Sequence, residues 1–328
     1  MIQSFPARQK LKRANLRTPC PVCEGEGCGL GEGITLCWRA PSDKRARSGA
    51  WIHVAPHQED SRRPPSFIRR SAPPLPLASA ERRHNIYSAL LERLPLYAVH
   101  ADQLANRRRL SDTTIAAEGF ASVPAKAFAE PLVRQLAAEF DLTHVPGFFR
   151  RRDRWHLRFV GLAGFYIPIR DHKGRISALE IRRDTDDPKR RYLLLSSAGA
   201  DFPLGANSGA PPHFARPCQA GEAILITEGA LKANVCAELL GQPIIGLVSV
   251  GTFGDRFGWQ LRTWFPGLRR AAIAYDMEEN EKTDRQRERL KNSLEAAQLE
   301  AVVFDWPTEM GKGFDDYLIY QYGQGGEV

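Results

Sequence analysis

Beyond residue 220, short apolar runs alternate with helical stretches, and two of the runs break off on carboxylates. Residues 223–227 lead into Glu228, and residues 271–275 lead into Asp276 and Glu278. The spacing predicts strands at 223–227, 244–250, 271–275 and 301–305, helices at 230–240, 255–265 and 281–298, and a terminal helix entered through residues 311–318. Such βα alternation specifies a mainly parallel sheet with helices on its faces. In an open sheet the carboxyl ends of the strands form the ligand crevice, so acids placed there can converge on a divalent cation and serve phosphate chemistry. A strand-end acid can also cap the next helix or simply face water. The pair Asp276-x-Glu278 is more specific, because the two-residue period of an extended segment puts both carboxylates on one side.

Charge is spread unevenly along the chain. Lys and Arg stand against Asp and Glu as 19 to 9 over residues 1–110, 16 to 12 over 111–220 and 11 to 17 over 221–328, for net charges of +10, +4 and −6. Basic runs at Arg62-Arg63, Arg69-Arg70, Arg107-Arg108-Arg109, Arg150-Arg151-Arg152 and Arg190-Arg191 suit a polyanion whose binding releases counterions, although any single run is also explained as a solvated face. No stretch approaches the roughly 20 apolar residues that span a bilayer. Residues 1–17 are basic without an apolar core, so the expectation is a soluble, cytoplasmic protein with no membrane partner.

Four of the six cysteines fall in one Gly-rich stretch: Cys20, Cys23, Cys28 and Cys37, separated by two, four and eight residues. A stretch so poor in apolar residues cannot build its own core. Thiolate ligation of Zn²⁺ supplies the missing stability, and Cys-x-x-Cys has the bite for one metal. Two disulfides are the competing arrangement, disfavoured inside a cell. His53 and His57 could substitute as ligands, whereas Cys218 and Cys236 read as ordinary residues, Cys236 on a buried helix face.

These features divide the chain into a zinc ribbon at 1–55, closing on a strand around residues 50–54, a Pro- and Arg-rich linker at 56–80, a small helical segment at 81–150, a basic strand-rich subdomain at 151–220 and the α/β domain at 221–328. Helices are predicted at 81–97, 101–109 and 131–140, with Ser111-Asp112 as an N-cap between them. Residues 164–170 and 175–182, joined by a four-residue turn, form a hairpin, and residues 190–197 continue its sheet, so that Arg170, Arg182 and Arg191 line one basic rim. No Gly-x-x-x-x-Gly-Lys-Ser/Thr motif is present, so the chain shows no ATP motor of its own.

The segments Ile226-Thr227-Glu228-Gly229, Ala274-Tyr275-Asp276-Met277-Glu278 and Gly313-Phe314-Asp315-Asp316-Tyr317-Leu318 resemble the three signatures of the Toprim domain. Residues 165–176 and 191–197 resemble the basic subdomain that precedes Toprim in bacterial and phage replicative primases, and the cysteines are similar in position to the primase zinc ribbon. The order is that of Toprim primase-like proteins from plasmids, phages and mobile elements. The resemblance implies a Toprim-type sheet and a primase-like nucleotidyltransferase that makes short primers on single-stranded DNA from nucleoside triphosphates. In that reading Glu228, Asp276 and Glu278 are catalytic, and with Asp315 they hold Mg²⁺ or Mn²⁺. Arg170, Arg182, Arg191 and Lys232 hold triphosphate or template, and a replicative helicase comes as a separate protein.

Two positions depart from the family pattern. Glu278 stands where the second Asp of Asp-x-Asp is usual, and Lys232 stands where primases commonly carry another acid; a cation there either weakens metal binding or serves as a phosphate ligand. One of Asp315 and Asp316 can equally serve as the N-cap of the final helix. Metal-dependent phosphodiester cleavage by the same acids, and a non-catalytic role as a DNA-binding replication accessory, remain the alternative functions.

Overall fold

The computed structural model describes residues 11–15, 18–31, 34–40, 42, 45–46, 48–54, 76–187, 190–199, 201–216, 221–248, 253, 256–277 and 281–323. Glu278, His57, Cys218 and the predicted linker from 56 to 75 lie outside the described residues. The chain divides into two compact units, residues 1–77 with 198–203 and residues 78–197 with 204–328.

In the first unit, β1 (Lys12–Arg13), β2 (Gly29–Gly31), β3 (Ile34–Cys37) and β4 (Trp51–Val54) form an antiparallel sheet in that order. Its buried centre is Ala14, Cys20, Cys28 and Cys37. No large aliphatic side chain is among these four, and burial on this scale is too small to hold a fold together.

The second unit contains two sheets. Its first part runs α1 (Ala80–Glu92), α2 (Ala98–Asp102), which continues into a π-helical stretch over Gln103–Arg107, α3 (Asp112–Glu118), β5 (Ala121–Ser122), α4 (Lys126–Glu139), β6 (Phe148–Arg151), β7 (Arg154–Leu157), β8 (Gly164–Arg170), β9 (Ile176–Arg183) and β10 (Tyr192–Leu194). Ser79 caps α1 by accepting from the Arg82 amide at 3.2 Å, and Ser111 caps α3 by accepting from the Thr114 amide at 3.2 Å. The antiparallel sheet β10-β9-β8-β5 is buried on both faces. Tyr166, Leu179 and Ile181 pack against Ile86, Tyr87 and Leu90 of α1 and Leu132, Val133 and Leu136 of α4. Phe165, Ile167, Ile169 and Ala178 point the other way, as strand alternation requires, and pack on the helix that follows the second sheet's first long strand. The helices between 81 and 150 thus share a core with the strand-rich segment rather than forming a body of their own.

The second part runs β11 (His213–Ala215), β12 (Ala223–Glu228), α5 (Ala230–Leu240), β13 (Ile244–Leu247), α6 (Phe257–Trp264), β14 (Arg270–Ala274), α7 (Glu281–Ala296), β15 (Glu300–Val303) and α8 (Phe314–Gly323). The sheet order is β11-β13-β12-β14-β15, parallel except for the edge strand β11. Leu261 of α6 and Leu290 and Leu294 of α7 join one core of this sheet, while α5 and α8 meet through Ala233, Cys236, Phe314 and Leu318. From β12 the chain winds first to β13 and then back past β12 to β14, so the order reverses between β12 and β14. A ligand crevice opens at such a switch point, outside the carboxyl ends of the strands. Among the described residues, no helix is long and apolar enough to cross a membrane.

Candidate active site

In the first unit all four cysteine sulfurs lie within 4.8 Å of one another, and Cys23 Sγ is 3.8 Å from Cys28 Sγ. Four sulfurs at about 2.3 Å from one tetrahedral ion stand about 3.8 Å apart. The Arg39 and Ala40 amides donate to Cys37 Sγ at 3.4 and 3.2 Å, and Arg39 Nη1 donates to Cys23 Sγ at 3.7 Å. Burial raises the Cys23 thiol, but the Gly25 amide and Arg39 outweigh it and bring the thiol down to about 7. Burial and the neighbouring thiols push Cys28 up to about 12. Four thiolates cannot coexist there without a cation, and the donor set fits zinc. His53 is not one of the converging ligands; its ring is 3.0 Å from the Ala40 carbonyl.

In the second unit the switch point carries acids. Thr227 pairs with Ala274, so Glu228 at the end of β12 and Asp276 just beyond β14 emerge side by side. Glu228 is half-buried and Asp276 is buried. Gly229, at φ +85°, turns the chain directly from β12 into α5, a conformation that costs glycine little. Asp315 and Asp316 enter from the first turn of α8, Asp315 with 0% exposure. The Met277 amide donates to the Lys312 carbonyl at 3.0 Å, tying the two acidic loops together.

Each of two acids is met by a cation of the chain. Lys232 Nζ, in the first turn of α5, pairs with Asp276 Oδ1, and Arg108, just past the π-helical stretch, pairs with Asp315 Oδ2 and lies 3.5 Å from Asp316 Oδ1. Burial opposes the Lys232 charge, but Asp276, Asp315 and Glu228 overcome it and hold the ammonium above the usual lysine range. Burial raises the Asp315 carboxyl despite Arg108 and Lys232. Asp315 Oδ1 is buried without a hydrogen-bond partner. The acids therefore fit a divalent ion less completely than the cysteines fit zinc: their ligand atoms do not all come together as the four sulfurs do, two oxygens are taken by Lys232 and Arg108, and Asp315 Oδ1 is the oxygen left open.

The three arginines of the predicted rim are not together. Arg170 lies next to Ile176 at one end of the β8–β9 hairpin, whereas Arg182 is level with Phe165 at the other end, about 17 Å away along the strand. Arg170 Nε donates to Glu118 at 3.0 Å, and its other nitrogens donate to the Ala117, Glu118 and Gly174 carbonyls. These bonds tie β8 to α3 and occupy four of the five N–H donors of the guanidinium. Arg191 stands with Arg182: its carbonyl accepts from the Arg183 amide, and the next residue, Tyr192, pairs with Arg182. The Nε–H groups of both Arg182 and Arg191 are buried without a hydrogen-bond partner, as are those of Arg82 and Arg287, and each is a donor that water or a ligand can take. The Tyr192 phenol is within electrostatic reach of Arg108, Arg182, Lys232 and Glu180, connecting this end of the hairpin to the acids.

Sequence reasoning passed over Arg108 and Glu180. Arg108 lay in a triple-arginine run that reads as a solvated face. Glu180 interrupts an otherwise apolar strand, and that interruption was its signal; burial pushes its carboxyl up to about 8.

Comparisons with known proteins agree with this architecture. A family described as "Domain of unknown function (DUF3854)" matches residues 219–325. The zinc-binding and RNA polymerase domains of Aquifex aeolicus primase superpose with a TM-score of 0.55 at 15% identity, over 76% of this chain and 60% of that one. The chain thus spans about three-fifths of that structure. The RNA polymerase domain of Mycobacterium tuberculosis primase DnaG gives 0.54 at 15% identity, over 75% of this chain and 81% of that one. A DnaG primase catalytic domain bound to single-stranded DNA gives 0.51 at 17%, over 75% and 76%. No curated protein matches the sequence. The fold is therefore primase-like, a mixed α/β architecture with a parallel sheet and a zinc-compatible cysteine cluster.

Proposed function

We propose that this chain is a primase-like nucleotidyltransferase that binds single-stranded DNA and joins nucleoside triphosphates into short primers, in the replication of a plasmid or other mobile element. The observation that supports the reading most is the placement of Glu228 and Asp276 at neighbouring strand ends of the switch point in a primase-like fold, with Asp276, Asp315 and Glu228 all acting on the Lys232 charge. The unsatisfied donors of Arg182 and Arg191 add to it. In this reading residues 221–328 are a Toprim domain and the cysteine unit is a ribbon that touches template. A replicative helicase is a separate protein, and the setting is the cytoplasm.

Glu228, Asp276 and the open oxygen of Asp315 would hold Mg²⁺ or Mn²⁺. Such an ion, bound there, would supply Lewis acidity toward a phosphate and a 3′-hydroxyl. Arg182 and Arg191 would take phosphate oxygens of the triphosphate or template through charge-assisted hydrogen bonds. Glu228, half-buried at the end of β12, would accept or return a proton at the hydroxyl. Arg170 braces the hairpin that carries this end.

The pairing of Asp276 with Lys232 favours a second reading, a DNA-binding accessory protein without catalysis. Single-stranded template, nucleoside triphosphates and Mg²⁺ or Mn²⁺ separate the two. New short oligonucleotides that vanish with Glu228→Gln and Asp276→Asn support synthesis. Template shortening without synthesis would instead assign the site to phosphodiester cleavage, and template binding with no product in any variant would leave the accessory role.

A further inference from the structure

We propose that the Lys232 ammonium takes the place of a second divalent cation, so that the acidic cluster holds one ion rather than two. The inference rests on reading Glu228, Asp276 and Asp315 as a metal-binding set.

Lys232 sits where a lysine is least welcome. The N-terminus of a helix carries partial positive charge, which opposes a cation in the first turn. No side chain caps α5, and the Lys232–Asp276 pair is largely buried, with side-chain exposures of 20% and 12%. Burying an ammonium is costly unless opposite charge surrounds it. That charge comes from Asp276, in direct contact, and from Asp315 and Glu228 around it. A residue that breaks the helix rule and the burial rule at once, and is compensated only by the acids of the site, belongs to the site.

The surroundings are shaped for the ammonium. A Cβ on Gly313 would stand 3.3 Å from Lys232 Nζ and would collide with Asp315 Oδ1, so the glycine leaves room for the cation beside α8. Arg108 covers the other Asp315 oxygen. Among the described residues, Lys232 and Arg108 meet Asp276, Asp315 and Asp316, and Arg287 donates to the Asp276 carbonyl at 3.3 Å. A second ion would have to share Asp276 with the ammonium, and like charges that close repel strongly in a partly buried site.

Mn²⁺ binding to the full, zinc-loaded chain tests this by electron paramagnetic resonance and calorimetry. The expected result is one Mn²⁺ at the acids in the wild-type chain, a second in Lys232→Gln, and one again in Lys232→Arg. Mn²⁺ should also raise the melting temperature of Lys232→Gln more than that of wild type. Two ions in the wild-type chain overturn the inference even if the variants fail to fold, as does an unchanged count in a folded Lys232→Gln or no binding in either. Primer synthesis is followed in parallel. Two ions in a chain that makes primers refute only the lysine's role, while a count rising from one to two without primer synthesis supports it and refutes only the primase reading.

Discussion

The cysteine cluster of the first unit and the carboxylate cluster of the second gather charge in opposite ways. Around the cysteines there is almost nothing else to bury, so the ligand set is itself the core. Around the carboxylates there are extensive apolar cores on both faces of two sheets, and the chain supplies its own counter-charges in Lys232 and Arg108. The first arrangement needs a metal in order to fold. The second balances its acids with its own cations.

The largest effect expected from this contrast is on the first unit. Metal analysis should find about one zinc per chain. Cys20→Ser with Cys23→Ser should release it and forfeit a binding free energy of about 10–16 kcal/mol that here is folding free energy. Limited proteolysis would then cut within the first unit while the second keeps its cooperative unfolding transition. Full metal retention in the double variant would break the comparison at its root.

On the other side, removing a counter-charge should hurt more than removing the pair. Arg108→Ala leaves Asp315 buried and unpaired, an expected loss of about 3–5 kcal/mol in denaturant unfolding. Asp315→Asn added to Arg108→Ala should restore much of it. If both variants unfold alike, the acids are not internally balanced as described.

This imbalance of roles was only half visible in the residue order. The βα series was legible because strand and helix periods differ, and the predicted helix at 230–240 coincides with α5. The α4 start was misplaced because Pro131 reads as a first-turn residue, yet it lies inside a helix that begins at Lys126. The β6–β7 hairpin was hidden by Arg150-Arg151-Arg152, whose charges suggest a solvated patch; its turn uses Arg152 and Asp153 at φ 47° and 60° without any glycine. Among the site residues, strand-end acids were legible because topology alone puts them at the crevice. The partners of a charge were not: Arg108 reaches Asp315 across 207 residues, and no local period encodes such a pair. Arg170 and Arg182 looked alike in sequence, and only the antiparallel register set them at opposite ends.

A smaller effect concerns Glu180, an acid on the buried face with no ion pair among the described residues. Its folded-state carboxyl is raised to about 8 by burial, above an unfolded value near 4.5. The stability it permits is fully present below the unfolded value and is lost as pH rises through the folded one. Unfolding free energy should therefore fall by roughly 1.4 kcal/mol per pH unit across this window, and Glu180→Gln should flatten the profile when urea unfolding is measured from pH 5 to 9. A profile unchanged by the substitution would mean that Glu180 has its charge compensated after all, as Asp276 has.

The smallest expected effect separates cations that are spent from those that are open. Arg170 has four of its five N–H donors bonded to α3 and the hairpin turn, so Arg170→Ala should lower stability and leave the salt dependence of DNA binding unchanged. Arg182 also donates to the Arg183 carbonyl and Asp184, but its Nε–H has no hydrogen-bond partner. Arg182→Ala should cost little stability and weaken single-stranded DNA binding uniformly across sequences. If one phosphate contact is lost, the slope of log affinity against log salt should drop by about 0.7. Fluorescence anisotropy of a labelled oligonucleotide between low and moderate salt reads this directly. Equal slopes for Arg182→Ala and wild type would place the phosphate path elsewhere and leave Arg182 as another brace, like Arg170.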